Sequence, residues 1–142
     1  MRNLPSIDYS DAQKAVSLIA QKAREMQKAV AIAVADSHGE LIAFARMDGA
    51  PLSSILVATN KAYTAARERK PTKDIGDKMR DPVKGFDIAF YGDSRFVGWG
   101  GGIPIRKNGE VVGAIGVSGL SSAEDIALAN VGLELINDEK QS

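Results

Sequence analysis

Lys61 sits in the stretch Val57-Ala58-Thr59-Asn60-Lys61-Ala62, where its helical neighbours are small. A lysine among alanines lines a cleft or an interface, where burial lowers its pKa and makes the amine nucleophilic; otherwise it is solvated like most lysines. Arg46, Met47 and Asp48 precede Gly49-Ala50-Pro51, so an Arg and an Asp share a strand end beside a turn. They suit a polar ligand, or form an exposed ion pair worth under about 1 kcal/mol. His38 is the only histidine, between Ser37 and Gly39. It is the one conventional nitrogen donor for haem iron or a metal, or a plain exposed turn residue. One histidine and no cysteine exclude a multi-His site within one subunit, thiolate catalysis, disulfides and Cys-ligated metal. No metal site is expected. Glu124 and Asp125 adjoin in sequence but point in different directions on a helix, which argues against a carboxylate dyad.

Two glycine-bearing stretches raise the question of anion binding. Phe96 to Ile105, FVGWGGGIPI, packs four glycines and the only Trp into ten residues. It lacks the lysine of a Walker loop, and Ile103 stands where the third glycine of a dinucleotide fingerprint belongs. Glycines at a strand start or bulge let backbones approach, and the N–H groups of Gly100 to Gly102 remain available to a ligand. Ser118-Gly119-Leu120-Ser121-Ser122 leads from a strand into a helix, where free N–H groups attract anions. A plain serine N-cap explains the same residues.

The elements that must position these residues follow from periodicity. Ser10 and Gln13 have capping-box spacing, and apolar residues from Tyr9 to Met26 recur every three or four positions, predicting the first helix. Val30 to Ala35 alternates large with small, a strand covered on both faces whose alanine side admits a close-packed helix. Asp36 to Gly39 turns the chain into a returning strand, Leu41 to Met47. A second helix runs from about Leu52 to Arg69, stopped at Lys70-Pro71. Its main apolar face is Leu52, Ile55, Leu56, Thr59, Tyr63 and Ala66; Ser54, Val57, Ala58, Lys61 and Ala65 lie opposite. A helix apolar or small nearly all round is covered twice, by the sheet and by another subunit. Residues 72–95 are irregular with short helical turns at Lys73 to Met79 and Phe86 to Phe90; a short strand follows near Phe96, then another at Ile103 to Arg106. Asn108-Gly109 marks a type I′ hairpin returning as Val111 to Ser118. Ser121 and Glu124 repeat the capping spacing and start a last helix to about Asn137, with Leu128, Val131 and Leu135 inward. The order predicts one α+β domain over residues 1–142, with a mainly antiparallel sheet of about five strands and helices on both faces.

Composition narrows the setting. The chain has 142 residues, 18 basic and 18 acidic, with 44% hydrophobic and 25% charged content. Zero formal charge argues against non-specific nucleic-acid binding and against attraction to anionic membranes. The opening MRNLPSIDYS lacks the apolar core of a signal peptide, and no run approaches a bilayer span, so the expectation is cytoplasmic.

HGELIAFARMDGAPLSSILVATNKAYTA, then GGGIPIRKNGEVVGAIGVSG with Asp125 just beyond, resembles the GlcG/HbpS-like, or haem-degrading, family across roughly residues 10–137. The resemblance implies a profilin-like fold and a small, homo-oligomeric protein encoded near glycolate, propanediol or glycerol utilisation genes. It implies a ligand site at Arg46, Asp48, Lys61, Gly101, Gly102, Pro104, Ser118, Gly119 and Asp125. The expected function is an accessory protein of carbon metabolism that binds a small metabolite or a cofactor such as haem or a corrinoid. Two alternatives stand beside it. One is an enzyme acting on a small carbonyl or carboxylate compound, with Lys61 and Asp48 as acid-base groups. The other is an assembly subunit without a ligand.

Overall fold

The structure, a computed structural model, describes residues 1–141, with side chains for all of these except 135 and 137–141. Helix α1 (Tyr9–Glu25) leads to a hairpin of β1 (Ala31–Ala35) and β2 (Leu41–Arg46). Helices α2 (Ser54–Glu68) and α3 (Thr72–Met79) follow, then one 3₁₀ turn at Ile88–Tyr91. A second hairpin, β3 (Gly102–Lys107) and β4 (Glu110–Ser118), precedes α4 (Ser122–Gln141). The four strands form an antiparallel sheet in the order β2-β1-β4-β3. Among the described residues no helix is long and apolar enough to cross a membrane.

Strand alternation sorts the sheet into two unlike faces. Ile32 and Val34 of β1 join Ile115 and Val117 of β4 in the main core, packed with Ile19 of α1 and Leu128 of α4. The other face is built of small residues in register: Ala31 opposite Ser118, Ala33 opposite Gly116, Ala35 opposite Ala114, and Gly102 opposite Gly116. Helix α2 lies on this face at backbone distance. A Cβ at Gly116 would stand 2.1 Å from the Ala58 carbonyl oxygen, and one at Gly102 would stand 2.5 Å from that of Lys61. The alanine face thus admits the close-packed helix its composition suggested.

That approach departs in part from the expected orientation of α2: Tyr63 and Ala66 of the expected inward face are buried, but the opposite stripe docks too. The residues it buries are Ser54, Ala58, Lys61, Ala62 and Ala65, together with Tyr63, Thr64 and Ala66. Leu52 and Leu56, expected inward, are 74% and 64% exposed. A glycine-alanine surface leaves no depth for leucines, so the small stripe docks there and Leu52 and Leu56 face out.

Other boundaries shift for local reasons. No strand forms near Phe96, so the sheet has four strands rather than about five. The backbone there packs instead against α3, where a Cβ at Gly76 would meet the Gly98 oxygen at 1.8 Å. Asp8, not Ser10, caps α1, accepting from the Asp11 amide at 2.9 Å. Ser121 and Glu124 do form the expected capping box: the Glu124 amide donates to Ser121 Oγ at 3.2 Å, and the Ser121 amide donates to Glu124 Oε1 at 3.4 Å. Helix α4 continues to Gln141, past the expected end near Asn137. Its Leu128 is buried and Val131 partly so, while the side chain of residue 135 lies outside those described.

Candidate functional site

Helical spacing puts Ser54, Ala58 and Lys61 on one stripe of α2, the stripe pressed onto the sheet. Lys61 is 2% exposed, and its Nζ donates to the Val117 carbonyl at 2.9 Å and to Asp125 Oδ2 at 3.1 Å. Asp125, in the first turn of α4, is equally buried, and its Oδ1 accepts the Leu120 amide at 3.1 Å. The carboxylate is thereby fixed from both sides. Burial pushes the Lys61 amine below its ordinary pKa and the Asp125 carboxyl above its own, each partly offset by the other's charge. Both directions favour sharing one proton, so the uncharged pair lies closer in energy than it would in water.

Glycine makes room for this pair. Gly101 has φ +127°, and a Cβ there would stand 2.8 Å from Lys61 Nζ and 2.5 Å from the Val117 oxygen. The Gly101 carbonyl accepts the Val117 amide at 2.9 Å, closing the start of β3 onto the end of β4. Gly102 donates its amide to Thr72 Oγ1 at 2.9 Å. The glycine run is therefore a close-approach segment, with its amides at Gly102 and its carbonyl at Gly101 engaged by protein. Gly119, at φ +140°, turns the chain out of β4 toward α4.

A cavity of about 360 Å³ opens beside the pair, walled by Pro51, Ser53, Ser54, Val57, Lys61, Trp99, Ser118, Gly119, Leu120, Ser122 and Asp125. That is the low end of the range for small-molecule sites. Ser118 Oγ and Ser54 Oγ, both buried, stand 3.4 Å apart on its wall. A larger cavity, about 660 Å³, lies at the far end of β4 between the residues before α1 and the β3–β4 turn. Its titratable residues, including Asp8, Asp11 and Lys14, are exposed, so it lacks a desolvated polar group to do chemistry.

Of the residues singled out in the sequence, Lys61, Gly101, Ser118, Gly119 and Asp125 converge here. Gly102 and Pro104 support it from β3: Gly102 seats α2, and Pro104 is buried opposite Ala114 on an edge strand that tolerates proline. Arg46 and Asp48 do not join them. Both are exposed and line a separate depression with Arg24, Gln27 and Lys28, because β2 is the outer strand on the far side of β1. The buried ion-pair partner of Lys61 is Asp125, and Asp48 lies in the other depression. Ser54 and Trp99 also line the cavity without having been assigned to the site, although Ser54 had been placed on the same helix face as Lys61.

His38 occupies the β1–β2 turn, exposed, with its amide donating to Asp36 Oδ1. The five residues of β1 separate it from the Ser118 end by roughly 13 Å. Around that far end Tyr63 donates its hydroxyl to Asp93 and accepts from Arg95, whose guanidinium covers the Tyr63 ring at 3.7 Å. The Lys61 cavity itself carries no imidazole, thiol, thioether or phenol, the usual protein donors to haem iron. Its wall does not fit haem ligation. Among the described residues no cluster of three His, Cys, Asp or Glu could hold a metal ion.

Residues 7–134 match the family model described as haem degrading protein HbpS-like. The chain is 32% identical over 137 residues to a 15.0 kDa protein of Citrobacter freundii encoded in the dhaT-dhaS intergenic region, covering 96% of each. It is 36% identical over 109 residues to the protein GlcG of Escherichia coli K12, covering 75% of this chain and 78% of GlcG. Among solved structures, a PduOC:heme complex superimposes with a TM-score of 0.85 at 26% identity, covering 93% of this chain and 96% of that one.

Proposed function

This chain belongs to the HbpS-like family, and we propose that it is an accessory protein of small-molecule carbon metabolism whose ligand is a small polar metabolite held beside Lys61 and Asp125. The observation that carries this reading is the buried pair on the wall of a cavity edged with serine hydroxyls. An ammonium group has three N–H donors, and two are met by Val117 and Asp125. The third, with the Ser54 and Ser118 hydroxyls, gives a carboxylate or hydroxyl ligand partners already desolvated. The kinship with GlcG and with a protein encoded between dhaT and dhaS supports a metabolic role. Glycolate, diol and glycerol pathways are the ones the family resemblance implies. If turnover accompanies binding, Lys61 and Asp125 are its acid-base groups.

Isothermal titration with glycolate, glycerol and 1,2-propanediol tests the reading. Saturable binding that Lys61→Met abolishes supports it. Binding that persists in the variant moves the site elsewhere.

Haem is a second reading, favoured by the likeness to the PduOC:heme complex. The donor would be His38, on a turn outside every cavity described above. A Soret titration of wild type and His38→Ala decides: a stoichiometric shift lost in the variant supports haem, and an unchanged shift removes His38 from the reading.

A homo-oligomer is part of the proposal. Leu56 lies on the outer face of α2 with Leu52 exposed just before the helix, and Trp99, 60% exposed, stands at the cavity beside it. Such an apolar surface around a polar cavity suits a second copy, which would narrow the mouth.

A further inference from the structure

We infer that Lys61 forms a reversible imine with a short polar carbonyl compound, an aldehyde or 2-oxo acid, held in the cavity. The inference rests on the reading that this cavity binds a small metabolite, and it names the class.

The geometry at Nζ carries the argument. A neutral amine has two N–H donors and one lone pair. Lys61 has two protein acceptors, the Val117 carbonyl at 2.9 Å and Asp125 Oδ2 at 3.1 Å. When Asp125 takes the ammonium proton the lone pair is left facing its O–H, and a turn about the Cε–Nζ bond brings that lone pair to the third position, beyond these two acceptors, on a residue that lines the cavity. The ammonium proton has a short path out, across the 3.1 Å bond to Asp125. Burial of both partners favours that transfer. Desolvation is what lowers a lysine's pKa and frees its lone pair, and the opposing charge of Asp125 disappears once the carboxylate has taken the proton.

The step balances within the pair. The amine lone pair forms a bond to the carbonyl carbon, and the carbonyl π electrons move to oxygen, which takes the proton from Asp125. The nitrogen then returns a proton to the Asp125 carboxylate. That proton goes to the carbinolamine hydroxyl, which leaves as water as the nitrogen lone pair closes the C=N bond. Amine and carbonyl become imine and water, with no oxidant or reductant. If the imine nitrogen is protonated, its charge faces Asp125 as the ammonium did, so the buried site keeps its balance. The cavity of about 360 Å³ admits only a short chain, and the Ser54 and Ser118 hydroxyls suit an oxygen-bearing substituent.

Glyoxylate, which is both aldehyde and 2-oxo acid, is the probe. The full-length protein is incubated with it at neutral pH, and one half of the sample is reduced with borohydride. The expected result in native mass spectrometry is a single adduct equal to the ligand less one water. Peptide mapping of the reduced sample should place it on Lys61, exceeding that on exposed Lys84 by about tenfold or more. Asp125→Asn, which keeps the lysine but removes the proton shuttle, should slow adduct formation; Lys61→Arg should abolish it while circular dichroism reports the fold. A Lys61 adduct no greater than that on Lys84, or none, overturns the imine. Glycolate, the same skeleton without the carbonyl, separates the two levels. Lys61-dependent binding of glycolate and glyoxylate without an adduct leaves the metabolite reading standing and sinks the imine. No binding and no adduct sinks both.

Discussion

Asp125→Ala removes one member of an ion pair whose side chains are each 3% exposed. The Lys61 ammonium would keep only the Val117 carbonyl, and the Leu120 amide would lose its acceptor at Asp125 Oδ1. Breaking a buried pair from one side costs about 3–5 kcal/mol, because the remaining charge stays desolvated. Against a typical total of about 5–15 kcal/mol, that is a large share of the fold's stability. Urea unfolding followed by circular dichroism measures it, as a fall in midpoint at constant slope. Asp77→Ala is the internal reference: its pair with Lys73 is more than half exposed and screened by water, so its loss should shift the midpoint little. The double variant Lys61→Met with Asp125→Leu should recover most of the loss, since an apolar pair of similar volume leaves no orphan charge. The sign of the pH effect follows too. With Asp125 gone, burial alone acts on Lys61 and holds its pKa below the unfolded value. The unfolded chain then binds more protons in the alkaline range, so the stability of Asp125→Ala rises with pH up to the ordinary lysine value. An Asp125→Ala cost matching that of Asp77→Ala would refute the reasoning, because the pair would then behave as a solvated one.

Three further expectations test the frame around the site. Gly116→Ala should destabilise by about 3 kcal/mol or more, the upper end of overpacking, because the new methyl meets helix backbone at Ala58 and Ala62; thermal unfolding reads it. Asp93 is held below the ordinary carboxylate range, first by the Tyr63 hydroxyl and then by the Arg95 amide. The stability it adds is present above the ordinary carboxylate value and lost as pH falls through the lowered one, so Asp93→Asn should flatten the acid limb of a stability–pH curve. Leu56→Asp should shift the assembly toward the monomer in light scattering, and an unchanged mass would remove the outer face of α2 from the interface.

Much of the scaffold was legible because local chemistry dictates it. Asn108 and Gly109 adopt φ +52° and +81°, as a type I′ turn requires, and Ser121 and Glu124 cap α4 as their spacing indicates. The large-small alternation of Val30 to Ala35 told correctly that both faces are covered. The orientation of α2 was not legible in its own sequence. Hydrophobicity favours burying Leu52 and Leu56, and only the facing Gly102, Gly116 and Ala114 reverse that choice. Lys61 stood out through its small neighbours, but Asp125 lies 64 positions away and the contact follows only from the register of β4 and the start of α4. Asp48, beside a turn, looked equally placed until the strand order put β1 between it and the cavity.

The contact between α2 and the glycine-alanine face bears on how this protein can be altered. Where a helix rests on bare backbone, neighbouring side chains have no volume to exchange, and almost any added atom is a collision. That surface is closed to gradual redesign. The opposite rim is open: Ser53, Val57, Trp99 and Ser122 border the same cavity without seating the helix. Attempts to retune what the cavity accepts should begin there, with the Lys61 stripe left as the fixed jaw of the clamp.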